Sequence, residues 1–289
     1  MKIDLHCHST ASDGSLTPRE LIQRAHNLHV NILSLTDHDT LAGIEPAQQA
    51  LNEISGGTPL TLVNGIEISC RWQSFEIHIL GWHFNRDDAA LHDLVSRQGT
   101  ARRERTARIL DKLVHHGVAT EHLAKVRAKQ ALPDELITRK HIAEALVAHN
   151  YVNTIDEAFK RYIGKGQCAY TTPQWCTIET AVQAIKAAGG VTAVAHPLAY
   201  DMSTKWLKRL LTDFVAAGGD ALEVSSGQQT PQQRQTLVLL ANQFSLAASA
   251  GSDFHNPGRW RELGHNIALP DECQPVWRDW PEVQALKVS

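Results

Sequence analysis

Cysteine is scarce in this chain and badly placed for stapling. Cys7, Cys70, Cys168, Cys176 and Cys273 are the only five in 289 residues, and none forms a C-x-x-C pair. An odd number without close pairs fits reduced thiols better than a disulfide framework, and it argues against a thiolate zinc site. Long apolar runs are missing too, since none approaches the roughly 20 residues needed to cross a bilayer. The first residues are polar and charged where a secretory signal is basic and then apolar, so the expectation is a cytoplasmic protein without a membrane partner. Net charge is close to zero, at −3, which removes any global electrostatic reason to bind duplex DNA or lipid. Repeats and low-complexity segments are absent. A hydrophobic content of 43% with 20% charged residues excludes disorder.

What the chain has in excess is histidine, at 16 residues, about twice ordinary usage for this length. Their positions follow the predicted elements. Short strands are expected at Ile3–Leu5, Ile32–Thr36, Leu60–Val63 with Ile66–Ser69, Glu76–Phe84, Val191–Ala195, Ala221–Val224 and Leu246–Ala250. Helices are expected between them. The first starts at Thr17-Pro18-Arg19-Glu20, where an N-cap, a proline at N1 and a glutamate at N3 form a capping box. It runs to about His29, and the next covers Ala42–Ile54. Further helices are expected at Ile178–Ala188, Lys205–Ala216 and Pro231–Gln243. This alternation predicts an α/β fold with a mainly parallel sheet, open or closed, whose functional groups gather at the carboxyl ends of the strands.

From about 88 to 170 the pattern changes to helix and loop, with Arg102–His116, Arg139–Asn150 and Ile155–Ile163 the clearest helices. The chain is therefore read as one unit of residues 1–87 and 171–289 interrupted by a helical insert, 88–170. Charge sorts in the same way. Arg97 to Lys140 holds 11 Lys and Arg against 5 Asp and Glu, a local +6 that leaves −9 elsewhere.

Nine ligand-type residues fall at or near predicted strand ends. His6 and His8 follow the first strand, two apart and so on one side of an extended chain. His38 follows the second, Glu67 lies on the third and His78 on the fourth. If 66–70 pairs with 76–80 about a turn at Arg71–Ser74, Glu67 falls roughly opposite His78 and the two share one ion. His196 follows "VTAVA", and Asp253 and His255 follow the last strand. Asp13, in an Asp-Gly turn, is promoted to a ligand only by this company. A single buried histidine is ordinary packing, but nine such groups sorted to strand ends are a metal site. Imidazoles with carboxylates and no thiolates suit Mn²⁺, Zn²⁺ or Fe²⁺. Nine donors exceed one ion, so two or three are expected. Such centres suit phosphoryl transfer, lowering the pKa of a bound water towards ~7 and clamping the attacking and leaving oxygens.

The stretches "DLHCHSTASDG", "LTDHD", "GIEIS…EIHILG", "AHP" and "GSDFH", in this order, closely resemble the motifs of the PHP (polymerase and histidinol phosphatase) family over nearly the whole chain outside the insert. The resemblance implies a distorted (β/α)₇ barrel with a trinuclear centre. By matching motif, His6, His8, Glu67 and Asp253 hold one ion. Glu67 bridges to a second, completed by His78 and His196, and Asp13, His38 and His255 hold the third. Within the family, "RRER", "TRKH", "YIGKGQCAY", "PQWCTIE" and "GRWRELGHN" are similar to the branch of nucleoside 3′,5′-bisphosphate phosphatases and RNase AM. These remove a 3′-phosphate and also trim short RNA from the 5′ end.

In that branch the insert is a basic lid, which accounts for the uneven charge. Arg102, Arg105, Arg139 and His141 are the substrate-binding candidates, since guanidinium forks match phosphate oxygens. Lys125, Arg127 and Lys129 are read as a solvated face. The implied substrates are a nucleotide or short 5′-phosphorylated RNA, and Mn²⁺ is the first choice of ion, with Zn²⁺ or Fe²⁺ the alternatives. Histidinol phosphate is the rival substrate, and a non-catalytic metal-binding scaffold is the rival of another class.

Relatives often carry Gly-Arg where this chain has Leu198-Ala199 after His196-Pro197, so one substrate contact is in question. Glu223 is read as support behind a ligand or as barrel polarity. Asp37 and Asp39 are read as residues that orient ligands or take a proton. Cys7 is read as packing, as are Trp175, Trp206, Trp277 and Trp280, while Trp260 is close enough to Asp253 to test. Oligomeric state is not legible.

Overall fold

The computed structural model describes residues 1–288 apart from 124, 125, 127–135, 259 and 260. Lys125, Arg127, Lys129 and Trp260 therefore lie outside the described residues. The chain divides into two compact units, one of residues 1–94 and 176–289, the other of 95–175.

In the first unit, seven strands run side by side in the order β1 (Ile3–Cys7), β2 (Ile32–Leu35), β3 (Thr61–Trp72), β4 (Phe75–Trp82), β6 (Val191–Val194), β7 (Ala221–Ser226) and β8 (Ala247–Gly251). A two-residue strand, β5 (Cys176–Thr177), pairs with β3 off this path. All pairings are parallel except β3–β4 and β4–β6. A parallel bridge from Cys7 to Phe254 joins the two ends of the path, so the barrel is nearly closed. This is the distorted (β/α)₇ barrel expected from the sequence.

Helices α1 (Pro18–Asn27), α2 (Ile44–Glu53), α6 (Ile178–Ala187), α7 (Thr204–Ala216) and α8 (Pro231–Gln243) belong to the barrel unit, and α9 (Pro281–Val288) ends it. The capping box forms as read: Thr17 Oγ1 accepts from the Glu20 amide, and the Glu20 carboxylate accepts from the Thr17 amide. Leu21, Ile22 and Ala25 of α1 are buried with Leu33 and Leu35 of β2.

The inner cluster holds Ile3, Leu5, Val63, Leu80, Trp82, Ala193 and Ala250, closed off by Trp277 and Trp280. The β1–β2 register slips between Asp4 and Cys7. Across that bulge the strand changes which residues face inward: Leu5 belongs to the inner cluster, Cys7 to the outer one. A second slip lies between Glu223 and Ser225 of β7.

The hairpin between β3 and β4 differs from expectation. β3 is one continuous strand, and its turn is only Gln73-Ser74, with Gln73 at φ +53°. Ser69, not Glu67, lies opposite His78, and Glu67 lies opposite Leu80. The register is two residues from the one expected, and an even shift keeps Glu67 and His78 on the same face.

The second unit has a core of its own, with Ile109, Leu113, Val118, Ile142, Leu146 and Ala169 among its buried residues. Helix α3 (Ala89–His115) starts 13 residues before the segment read from the sequence, Arg102–His116. It is followed by α4 (Arg139–Ala148), α5 (Ile155–Ala158) and a π-helical turn at Phe159–Ile163.

Candidate metal centre

The barrel brings all nine strand-end residues into four overlapping donor groups. These are His6/His8/Asp253, His6/Glu67/His196, His38/Glu67/His78 and His8/Asp13/His38/His255, with the donor atoms of each within 4.8 Å of one another. Glu67 is the hub. Its Oε1 lies 2.9 Å from His78 Nδ1, 3.0 Å from His196 Nε2 and 3.4 Å from His6 Nε2. Its Oε2 lies 2.9 Å from His38 Nδ1 and 3.3 Å from His8 Nε2. Asp253 Oδ1 stands 3.5 Å from His6 and 3.4 Å from His8. Asp13 Oδ1 is 3.2 Å from His255 Nε2 and 3.7 Å from His38 Nε2. His8 joins the Asp13 group as well as the His6 group, and His78 and His196 approach Glu67 in separate triads.

The backbone holds these side chains in conformations that residues with a Cβ seldom adopt. Asp253 is at φ +53°, His196 at +27° and Asp39 at +53°, the kind of strain that collects at functional sites. The Asp253 amide donates to the His6 carbonyl, 2.8 Å, and the His8 amide donates to the Phe254 carbonyl, 2.8 Å. The last strand's loop is thereby tied to the first. Gly251 belongs to this seam: a Cβ there would stand 2.2 Å from His6 Cβ.

Charge inside the cluster is set by burial against neighbours. Burial raises the carboxyls of Glu67, Asp13 and Asp253, yet the facing imidazoles hold all three well below the usual carboxylate range. His8 is pushed down to about 3 by burial and by the rings of His255 and His38. Burial also works against charge on His6, but Glu223, Glu67 and Asp253 raise it well above an ordinary imidazole.

The donor set fits a cation. Glu67 Oε2 is fully buried and accepts no hydrogen bond, although two imidazole nitrogens stand within 3.3 Å of it. The Nε2 atoms of His6 and His8 also converge, at 3.2 Å. Buried nitrogen and oxygen donors crowded around a fully buried carboxylate oxygen that accepts no hydrogen bond are the mark of a site built for metal.

Residues behind the donors set their orientation. Glu223 Oε1 lies 2.9 Å from His6 Nδ1, so an N–H there leaves Nε2 as the donor atom facing the cluster. Glu223 Oε2 accepts the His196 amide at 2.6 Å. Asp37 accepts from the Ser9 amide (2.8 Å), Ser9 Oγ (2.7 Å) and Ser12 Oγ (2.6 Å), so it braces the loop that carries Asp13. Asp39 accepts the Ser69 amide at 2.7 Å. Two residues escape the sequence reading. The Tyr200 hydroxyl accepts the His78 amide at 2.8 Å, and the Arg261 guanidinium donates to Asp253 Oδ2. Leu198 is exposed.

The insert candidates lie elsewhere in the chain, in the second unit. Arg102 and Arg105 are buried, and both guanidiniums stand over the Trp175 ring, at 4.9 and 5.5 Å. Arg105 Nε also donates to the Thr171 carbonyl, 3.0 Å. Arg139 stands over Phe159 at 5.5 Å. His141 Nδ1 accepts the Thr138 amide at 3.0 Å and so caps α4. Trp175 is packing, as read, but packing that holds two cations by their faces.

Comparisons with known proteins agree with this geometry. The PHP domain family model matches residues 4–225. The chain is 44% identical over 276 residues to a 5′-3′ exoribonuclease of Haemophilus influenzae, covering 96% of this chain and 98% of the relative. It is 37% identical over 278 residues to a 3′,5′-nucleoside bisphosphate phosphatase of Chromobacterium violaceum, covering 96% and 95%. A solved structure of an amidohydrolase from Chromobacterium violaceum, with bound sulfate and no metal, superposes with a TM-score of 0.89 at 36% identity. That match covers 99% of this chain and 96% of the other.

Proposed function

The chain belongs to the PHP domain family, and on that premise we propose that it is a metal-dependent phosphoesterase acting on nucleotides. Its reaction is removal of the 3′-phosphate from nucleoside 3′,5′-bisphosphates, with trimming of short RNA from the 5′ end by the same centre. Similarity to a bisphosphate phosphatase and to an exoribonuclease over nearly the full chain supports the substrate class. The observation that carries the chemistry is the gathering of nine donor residues into four overlapping groups, two of which share buried Glu67.

In this proposal His6, His8, Asp13, His38, Glu67, His78, His196, Asp253 and His255 hold two or three divalent ions, Mn²⁺ first among them. Bound there, the ions supply Lewis-acid stabilisation of phosphoryl oxygens and a water acidic enough to attack at neutral pH. The chain's own residues do the rest. Glu67 and Asp253 stay ionised against the burial that opposes them, and Glu223 keeps His6 in the tautomer that offers Nε2. The Asp37 brace keeps Asp13 within reach of His255. Arg102, Arg105 and Arg139 supply planar charge for a second phosphate, each standing over an aromatic face. His141 sets the start of the helix carrying Arg139.

A turnover panel under Mn²⁺ tests the reading. It compares adenosine 3′,5′-bisphosphate, adenosine monophosphate, short 5′-phosphorylated RNA and histidinol phosphate. Preference for the bisphosphate and the RNA is expected. Faster hydrolysis of histidinol phosphate overturns the substrate class, and tight metal retention without hydrolysis of any of the four leaves only a binding scaffold.

A further inference from the structure

Two thiols stand beside one another away from the donor cluster. Cys70 of β3 and Cys176 of β5 are paired residues in the short parallel ladder between those strands, and their Sγ atoms are 3.8 Å apart. Neighbouring strands run roughly 4.8 Å apart, inside the Cα separation of about 4.4–6.8 Å that a disulfide spans. The two sulfurs need only side-chain rotation to reach bonding distance. Cys70 is fully buried and Cys176 is half-buried. Cys176 is also the first residue of the barrel unit after the insert, and 106 positions separate it from Cys70.

We propose that Cys70 and Cys176 are an oxidation site, converted by a peroxide into a disulfide that clasps β5 to β3 where the chain re-enters the barrel. Cys176, the more accessible thiol, attacks one peroxide oxygen as its thiolate. The O–O bond breaks, one water leaves after protonation, and Cys176 becomes a sulfenic acid. The Cys70 sulfur then attacks the Cys176 sulfur and displaces the hydroxyl as a second water. Two thiols have lost two hydrogens and one peroxide has become two waters. Cys70 is fully buried while Cys176 is open to the peroxide, which fits Cys70 to the second step, its proton leaving as the S–S bond forms.

The bond closes a loop that contains the whole second unit, so it restricts the unfolded chain strongly and raises the thermal midpoint. Reduction reverses it. This clasp is independent of the metal chemistry and of the substrate proposed above.

The test uses the full chain carrying Cys168→Ser, which removes the exposed competitor. Reduced protein is treated with hydrogen peroxide, alkylated and digested. The expected result is an intact mass lighter by two hydrogens, a linked Cys70–Cys176 peptide, and a thermal midpoint several degrees higher that falls back on reduction. Cys176→Ser and, separately, Cys70→Ala abolish the linked peptide and the rise. Oxidation that stops at sulfinic acid, or that joins chains without the linked peptide, overturns the proposal. So does a linked peptide with an unchanged midpoint.

Discussion

The two units treat charge in opposite ways. In the barrel unit, buried carboxylates and imidazoles face one another with almost no intervening solvent, and each group's charge depends on several neighbours. In the insert, cations are parked on aromatic rings, buried Arg102 and Arg105 over Trp175 and half-buried Arg139 over Phe159. The first arrangement is a mutually dependent network, in which losing one member unbalances the rest. The second holds planar cations by stacking them on rings. The proposed metal centre and the proposed substrate-binding arginines therefore differ in what each charge leans on.

That difference is sharpest in the donor cluster. His8→Ala or Asp253→Ala is expected to lower turnover by about 10³-fold or more while the fold survives. Turnover with metal content by elemental analysis checks it, and circular dichroism reports the fold. Full activity in metal-depleted His8→Ala protein would end the proposed chemistry. Next comes the support behind the donors. Glu223→Gln keeps the shape but weakens the acceptor at His6 Nδ1, and a loss of roughly 10–100-fold in metal affinity is expected by titration.

The insert should respond in another currency. Arg102→Ala is expected to raise KM for the bisphosphate about tenfold, with kcat changed less and metal content unchanged. A matching loss of metal would merge the two regions and break the comparison. The smallest effect belongs to an ordinary ion pair of the barrel's outside. Arg24 and Glu262 form a partly buried pair at 2.5 Å, and Arg24→Ala is expected to cost no more than about 1 kcal/mol of stability. Chemical denaturation measures it, and activity should not move.

The same contrast explains what could be read from the sequence. Donors at strand ends were legible because a strand's period of two and the barrel's polarity both act on local sequence. His6, His8, Glu67, His78, His196 and Asp253 all announce themselves by following apolar runs. The pairing partner of His78 was not, since alternation specifies a face but not a register. The tight Gln73-Ser74 turn decided the register two residues away. β5 was missed because two residues carry no pattern of their own and owe their strand conformation to β3.

In the insert, Arg102–His116 marked only the later half of α3, because charged residues and small side chains blur its apolar stripe. Arg102 and Arg105 are legible only by residue type, while the ring that holds them, Trp175, lies some seventy positions away in sequence. His141 is legible in the same way, and its Nδ1 turns out to cap its own helix. Arg261 sat within a quoted stretch but had no signal of its own, as its role depends on the loop bringing it to Asp253.

The seam between β1 and β8 has a consequence for how the protein is made. Two donors come from the chain's beginning, His6 and His8, and two from near its end, Asp253 and His255. Synthesis adds roughly 5–20 residues per second, so tens of seconds separate the appearance of the first pair from that of the last. During that interval His6 and His8 have no Asp253 beside them, and the first strand has no partner on that flank. The complete set of proposed donors is thus assembled only when the barrel closes. Any ribosome that stops short of β8 releases a chain with exposed imidazoles and an open sheet edge instead of an enzyme.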